Sequence, residues 1–198
     1  MIDLGNYQII LASQSPRRQA LLKDLGLDFT IKTADIDEVF PDDLVKEQIP
    51  LFLAEAKAKV MMSDLKENDI LITADTIVWI NNQAVNKPKD RAGAFAMISN
   101  LSNNMHTVYT GVQLSTKYKK ISFFAETKVF FSELSVDEIN YYIDKYKPFD
   151  KAGAYGIQEW IGYIGIEKIE GSYFNVMGFP VHLVYQNIKK LVNIKNEK

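Results

Sequence analysis

The sequence contains no cysteine, and this absence removes several kinds of chemistry at once. Disulfides, thiolate zinc sites and thiol nucleophiles are excluded, and a chain without thiols suits a reducing compartment. Histidine is also scarce. His106 and His182 lie far apart in the sequence and have no partner motif for a zinc site or a serine triad, so we interpret both as structural residues.

An excess of positive charge and a long apolar run are absent as well. The formal net charge of −2 provides no general field for a polyanion, so nucleic acid is not an expected partner and any phosphate site must be a local cluster. The segment Ile70–Ile80 is too short to span a bilayer and is interrupted by Asp75. Met1–Tyr7 carries Asp3 and no lysine, unlike the start of a signal peptide. These features predict a cytoplasmic protein without a membrane partner.

Strand and helix patterns alternate along the 198 residues, which predicts the α/β class in a single domain over 1–198 or two lobes of one domain. Ile9–Ala12 reads as a strand, followed by a helix that Ser15-Pro16 opens and Gly26 ends. Asn81-Asn82 marks a hairpin, and Ser135 to Glu138 forms a capping box. Further expected elements are a helix within 43–65 with Pro50 as its potential break, a hairpin of Thr107–Thr116 and Ile121–Phe131, a strand at Tyr163–Ile169, and a last helix from Pro180.

The first candidate site is the segment Leu11–Arg18. A strand that leads through a polar turn into a helix N-terminus points unpaired N–H groups and the positive end of the helix dipole toward one place. Arg17 and Arg18 stand beside that place, so the segment is typical of a phosphate cradle. A capped surface helix with solvated arginines has the same local pattern.

The second candidate is Asp75, within Thr73-Ala74-Asp75-Thr76-Ile77-Val78. A carboxylate inside an apolar strand is costly to bury unless it is paired, binds a metal or lines a cleft. The pattern therefore indicates a functional aspartate. The alternative is an aspartate at a strand end that bonds only to backbone.

The remaining candidates are weaker individually. Lys87 lies in a proline-stiffened loop and Lys57 on the preceding helix, although lysines are usually solvated. The run Lys151–Gln158 has small residues that permit close approach to a flat ligand, and it ends in an amide that can read a base edge; a simple tight loop is the alternative. Asp35, Asp37 and Glu38 form an acidic group with two interpretations: a source of an oxygen ligand for a metal, or a solvated loop.

Taken together and in order, these segments resemble the Maf family of nucleotide pyrophosphatases over nearly the whole chain. The matching segments are Leu11-Ala12-Ser13-x-Ser15-Pro16-Arg17-Arg18, Ala74 to Val78, Lys87-Pro88, Leu101-Ser102 followed by His106, Lys151 to Gln158, Gly171-Ser172-Tyr173 and Val176-x-Gly178-x-Pro180. Gln14 departs from the glycine that is common at its position, which bears on the phosphate loop.

The resemblance implies a mixed central sheet with flanking helices and two lobes around a cleft, similar to inosine triphosphate pyrophosphatases. It implies metal-dependent hydrolysis of a nucleoside triphosphate to the monophosphate and pyrophosphate, with a homodimer as the expected assembly. Carried over by position, Asp75 is the proton acceptor and a metal ligand candidate with Glu38. Arg17, Thr76 and Gln158 match substrate-specificity positions, and the phosphate-binding positions are Ser13, Arg18, Lys57 and Lys87. The motif Ala-Tyr-Gly-Ile-Gln is similar to the one found in family members that prefer dTTP and UTP.

The physical requirements of this reaction agree with the residues. Attack of water at the α-phosphorus needs a base, a metal and cations that stabilise the departing pyrophosphate. Because cysteine is absent, an oxygen ligand set suits Mg²⁺ or Mn²⁺ better than zinc. The Gln158 amide can meet the N3–H and carbonyl edge of uracil or thymine, but a flipped amide would match cytosine equally well.

Two rival functions remain at this stage. One is hydrolysis of modified purine triphosphates as a house-cleaning activity, which a substrate panel would reveal. The other is a nucleotide-binding regulator of cell division with little catalysis, which would bind nucleotide tightly without releasing pyrophosphate.

Overall fold

A mixed parallel and antiparallel sheet with flanking helices forms the fold in the computed structural model, which describes residues 2–33 and 36–193. The strands are β1 Gln8–Leu11, β2 Phe29–Ile31, β3 Asp69–Ile80, β4 Gln83–Val85, β5 Met105–Ser115, β6 Lys120–Phe131 and β7 Ile166–Glu170. The helices are α1 Pro16–Asp24, α2 Gln48–Met61, α3 Arg91–Leu101, α4 Val136–Tyr146, α5 Trp160–Gly165, α6 Tyr173–Val176 and α7 Val181–Asn193, with 3₁₀ turns at Met62–Asp64 and Ala152–Ala154. The strand order is β2-β1-β3-β5-β6-β7, with β4 paired to β3. The predicted α/β class with a mixed central sheet is confirmed.

The chain divides into two compact units. The first unit comprises Met1–Asp75, Thr110–Ala125 and Gly178–Lys198, and the second unit comprises Thr76–Tyr109 and Glu126–Met177. In the part of the chain that the structure describes, no helix is both long and apolar enough to cross a membrane.

Parallel strand pairing in the first unit places two candidate segments at one edge of the sheet. β1 pairs in parallel with β2 and with β3, and Leu11 lies opposite Ile72 in the second pairing. The N–H of Ala12 continues this ladder by donating to the carbonyl of Ile72 at 2.9 Å. Parallel strands end at the same edge, so the loop after β1 and the Thr73–Asp75 part of β3 are neighbours there.

The helices of the first unit lie in the predicted segments, with α2 inside the predicted range 43–65, but one expectation needs correction. Ser15 caps α1 by accepting from the N–H of Arg18, and Gly26 follows the helix with a φ of +72°. The expected break of α2 at Pro50 is wrong. Pro50 is the third residue of α2, within the first turn, where backbone N–H groups have no partner inside the helix and a proline costs nothing.

The second unit has its own apolar core. Asn81 and Asn82 both have positive φ, of 52° and 59°, and they bring Val85 opposite Val78 in an antiparallel pairing. The capping box of α4 is present, with reciprocal bonds between Ser135 and Glu138. The core residues include Val78, Ile98, Leu101, Val108, Val129, Phe131, Tyr142, Ile143, Ala154, Tyr155 and Ile161.

The predicted strand at Tyr163–Ile169 is wrong over its first three residues. Residues Trp160–Gly165 form the short helix α5, and β7 begins only at Ile166. The helix is possible because Gly162 packs against the carbonyl of Ile157; a Cβ there would lie 1.8 Å from that oxygen. Ile161 and Gly165 are both buried, at the four-residue spacing of a helix face, and this packing overrides the β-rich local composition.

Candidate active site

Asp75 ends the first unit's part of β3 and is nearly closed to solvent. Its side chain is 10% exposed, and its Oδ1 lies 2.5 Å from the ammonium nitrogen of Lys57 on α2. Ala54, three residues before Lys57, accepts a hydrogen bond from Thr73 Oγ1 at 2.7 Å, which fixes α2 against this strand. The strand and the helix therefore place the two charged groups together, and the carboxylate is paired as its burial requires.

Lys57 contacts a second carboxylate as well. Its Nζ lies 2.9 Å from Oε1 of Glu38, whose side chain is 43% exposed, whereas the lysine side chain is 16% exposed. One cation thus joins a buried acid on a strand to an exposed acid on a loop. Glu38 therefore shares a partner with the predicted catalytic aspartate.

Arg18 is held in place by two backbone carbonyls of the first unit. Its Nε donates to Gly178 O at 2.9 Å and its Nη1 donates to Ala74 O at 2.9 Å, so the guanidinium reaches the residue immediately before Asp75. Burial lowers the pKa of Arg18, while the nearby Asp75 carboxylate raises it. An arginine remains protonated under such a shift, and it contributes a fixed positive charge next to the aspartate.

The loop between β1 and α1 has the local geometry expected of a phosphate cradle. Ser13 is buried, and its Oγ accepts from the N–H of Ser15 at 3.2 Å; a serine hydroxyl that accepts one hydrogen bond can also donate one to a ligand oxygen. The Gln19 side chain donates to the carbonyl of Ser13 at 3.1 Å and so fixes the loop from α1. Gln14, which replaces a common glycine, is exposed, and Arg17 is half-buried beside Arg18.

The other predicted residues belong to the second unit. Thr76 directly follows Asp75 in β3 and is half-buried. Lys87 is exposed, in a loop whose Asn86 carbonyl accepts from the N–H of Gly153 at 3.2 Å. The loop that carries Lys87 is therefore hydrogen-bonded to the loop that carries Gln158.

Gln158 has an unsatisfied acceptor. Its Oε1 is buried and has no hydrogen-bond partner among the described residues. Its backbone carbonyl accepts from the Tyr163 hydroxyl at 3.3 Å. A buried amide oxygen without a partner is costly unless a ligand donates to it, so this atom has the property expected of a recognition group.

The available metal ligands are few. Within residues 2–33 and 36–193 no cluster of three or more His, Cys, Asp or Glu side chains is placed to hold a metal ion. Asp35 lies outside the described residues, and Asp37 is exposed. Asp75 and Glu38 both contact Nζ of Lys57, and two neighbouring carboxylates are a donor set that suits Mg²⁺ when water and ligand oxygens complete its coordination.

Several contacts of the candidate residues, in the first unit and in the second, could not be predicted from the sequence pattern. The carbonyls of Ala74 and Gly178 orient Arg18, and backbone acceptors cannot be identified from residue type. In the second unit, Tyr142 and Glu159 bind each other next to Gln158. Tyr142 occupies an apolar position of the amphipathic helix α4, so its pattern predicts only a core residue.

Comparison of the sequence with known proteins identifies one family over nearly the whole chain. A model of the family described as Maf-like protein matches residues 8–191. A dTTP/UTP pyrophosphatase from Parabacteroides distasonis is 50% identical over 188 residues, which are 94% of this chain and 97% of the relative. A dTTP/UTP pyrophosphatase from Christiangramia forsetii is 53% identical over 191 residues, which are 96% of this chain and 97% of the relative.

Among solved structures, a nucleoside-triphosphatase / dITP/XTP pyrophosphatase from Mycobacterium abscessus aligns over 94% of this chain and 97% of its own. The sequence identity is 14% and the TM-score is 0.41.

Proposed function

Because the chain belongs to the Maf family, we propose that it hydrolyses dTTP and UTP to the nucleoside monophosphate and pyrophosphate. This makes it a hydrolase that acts on the acid anhydride between the α and β phosphates. Relatives of that name match at 50% and 53% identity over almost all of both chains, which supports the same reaction and the same substrates here.

The convergence of Asp75, Lys57 and Glu38 is the observation that carries the proposal. A buried carboxylate 2.5 Å from an ammonium group can act on a water molecule while the cation offsets the negative charge that a triphosphate brings. Arg18 adds a second positive charge, held by Ala74 next to the carboxylate. An aspartate that only stabilised a strand end would not need this set of partners.

In the proposed reaction Asp75 accepts a proton from the attacking water. The oxygen of that water forms a bond to the α-phosphorus, and the bond from the α-phosphorus to the oxygen bridging to the β-phosphorus breaks. Pyrophosphate leaves with the bonding electron pair, and the monophosphate retains the water oxygen. Ser13, Arg18, Lys57 and Lys87 bind phosphate oxygens, and the cations among them stabilise the charge on the departing pyrophosphate.

We further propose a divalent cation, Mg²⁺ or Mn²⁺, with Asp75 and Glu38 as its protein ligands. The oxygen-only donor set supports this choice. When bound, the cation would neutralise phosphate charge and favour ionisation of water. A carboxylate has two oxygens, so Asp75 would give one to the cation and keep the other for the proton of the attacking water, while Lys57 pairs with phosphate.

Base recognition is assigned to Gln158, with Arg17 and Thr76 as the other specificity residues. The unpartnered Oε1 of Gln158 supports this assignment, because the N3–H of uracil and thymine is a donor that can satisfy it. Thymine and uracil present the same atoms at this edge, so use of both dTTP and UTP follows from one contact.

The homodimer is an expectation from the family resemblance, and the cytoplasmic location is an expectation from the composition of the sequence. A homodimer in the cytoplasm is the expected state. Light scattering on the purified protein would test the dimer.

The experiment that tests the function is pyrophosphate release by the purified protein across canonical and modified triphosphates, with Mg²⁺ or Mn²⁺ and after chelation. Selective hydrolysis of UTP and dTTP that depends on the cation is the expected result. A purine triphosphate with a higher kcat/KM would replace the substrate assignment, and tight binding without hydrolysis would replace catalysis by a regulatory role.

A further inference from the structure

The loop that carries Gln158 is tied to helix α4 on both sides of the glutamine. The Tyr142 hydroxyl accepts from the N–H of Gly156 at 3.0 Å and donates to Oε2 of Glu159. Gly156 lies two residues before Gln158 and Glu159 lies one residue after it. A single hydroxyl group therefore contacts the backbone two residues before Gln158 and the side-chain carboxylate of the residue after it.

A buried ion pair completes this arrangement. The second carboxylate oxygen of Glu159, Oε1, lies 3.1 Å from Nζ of Lys151, and the two side chains are 18% and 9% exposed. Lys151 also lies 2.8 Å from Asp150 Oδ1. Both oxygens of Glu159 are thus engaged, and each partner stands at a fixed place: one on α4 and one at the start of the loop. We name Tyr142, Lys151 and Glu159 the loop clamp.

The backbone conformation of the loop is compatible with the side-chain contacts of the loop clamp. A Cβ on Gly156 would lie 2.8 Å from the carboxylate carbon of Glu159, so only glycine allows that carboxylate to pack there. Ala154 is fully buried with a φ of +58°, a left-handed conformation that a residue with a Cβ adopts at a cost. Such a conformation persists only where surrounding contacts hold it, which indicates a rigid loop.

Rigidity matters here because of the chemistry of the glutamine. An amide that can move and flip pairs equally well with the N3–H of uracil and with the acceptor N3 of cytosine. If the loop keeps Oε1 of Gln158 buried and directed at the base, that oxygen accepts a hydrogen bond from the N3–H of uracil. With cytosine in the site, Oε1 would lie against N3, which is also an acceptor. Two buried acceptors without a donor between them are unfavourable, so cytosine would bind less well.

We propose that Tyr142, Glu159 and Lys151 are positioning residues that fix Gln158 and thereby give the site its preference for uracil and thymine over cytosine. None of the three needs to touch the nucleotide. The inference rests on the proposed function, because it assumes that Gln158 reads the base.

The test is a comparison of UTP and CTP hydrolysis by the full chain and its Tyr142→Phe variant. The variant keeps the ring and removes only the hydroxyl. We expect the ratio of kcat/KM for UTP to that for CTP to fall about tenfold, which corresponds to about 1.4 kcal/mol of discrimination, because the loop that carries Gln158 loses two of its hydrogen bonds. The change should appear mainly as a higher KM for UTP, with kcat at saturation little affected, because the reacting groups are untouched.

The matched control is Tyr141→Phe. Tyr141 is the preceding residue of α4, half exposed, and its hydroxyl accepts from Lys145 Nζ at 2.7 Å. Its ring packs on Trp160, and phenylalanine preserves that contact. The ratio should be that of the wild type, and a similar fall in this control would overturn the inference as a general effect of loosening α4.

A second variant, Glu159→Gln, tests the role of the loop clamp if Tyr142→Phe does not fold. It retains one oxygen for the tyrosine and removes the charge that pairs with Lys151, so a fall in the same ratio is expected. An unchanged ratio in a folded variant of an active enzyme overturns the inference and leaves the proposed function standing. A wild type that releases no pyrophosphate from UTP overturns both.

Discussion

The ammonium group of Lys57 lies 2.5 Å from Oδ1 of Asp75 and 2.9 Å from Oε1 of Glu38. One cation on α2 thus links the strand carboxylate to a carboxylate of the loop that precedes α2. The three side chains carry one net negative charge, which is low enough for a polyphosphate to approach when Arg18 stands nearby.

Replacement of Asp75 by asparagine should lower pyrophosphate release by about a hundredfold or more, the scale for loss of a general base. The amide has nearly the shape of the carboxylate but cannot take a proton from water. Steady-state release from UTP measures the effect. Asp37→Asn changes an exposed aspartate one residue before Glu38 and should retain wild-type turnover. Normal turnover by Asp75→Asn would remove the aspartate from the reaction.

Replacement of Lys57 by methionine should lower kcat/KM by about a hundredfold, which is the lower end of the effect of removing one charge-stabilising donor. The variant also leaves two carboxylates near each other without the cation between them. Lys59→Met is the matched control, because Lys59 lies two residues further along the same helix and is exposed. Equal activities of the two variants would contradict the role of Lys57.

Replacement of Gln158 by glutamate should reduce kcat/KM for UTP and dTTP by about tenfold, while the order of other substrates changes. A carboxylate can accept the N3–H but cannot donate to a base carbonyl, and it adds charge to a partly buried position. A substrate panel at fixed metal concentration measures kcat/KM for each triphosphate and so the substrate ranking. Gln186→Glu makes the same chemical change at an exposed position of α7 and should leave the ranking as it is. The same ranking in both variants would exclude Gln158 from recognition.

The sequence was sufficient for features that depend on local pattern. The capped helix after β1, the Asn81-Asn82 turn and the capping box at Ser135 are each determined by a few adjacent residues, and each is present in the structure. The cost of a lone carboxylate in an apolar strand predicts that Asp75 is paired, binds a metal or lines a cleft, and in the structure it is paired with Lys57.

Features that depend on packing between distant residues were not predictable. Residues Tyr163–Gly165 have strand-like composition, but Gly162 allows a tight contact with Ile157 and the segment is helical. The loop clamp joins α4 to a loop through the Tyr142 hydroxyl, and nothing in the pattern of an amphipathic helix distinguishes a core tyrosine that bonds a loop from one that only packs.

His106 provides a prediction on stability that is independent of catalysis. It is 1% exposed, its Nε2 shares a hydrogen bond of 2.7 Å with the Tyr155 hydroxyl, and its Nδ1 has no hydrogen-bond partner among the residues described. Burial lowers the pKa of this imidazole from 6.5 to about 3. In the folded protein it therefore stays neutral over a range in which the unfolded chain takes up a proton.

The unfolding free energy should fall as the pH is lowered from 6.5 toward 3, because the unfolded state then binds one more proton at His106 than the folded state does. The slope from this one group is up to about 1.4 kcal/mol per pH unit. Urea unfolding between pH 5 and 7, followed by the fluorescence of Trp79 and Trp160, measures it in a window where most carboxylates do not titrate. His106→Gln should be less stable at pH 7 and have a flatter dependence on pH. His182→Asn changes the exposed histidine and should keep the wild-type slope, so a slope that is the same in all three proteins would show that His106 is not the group responsible.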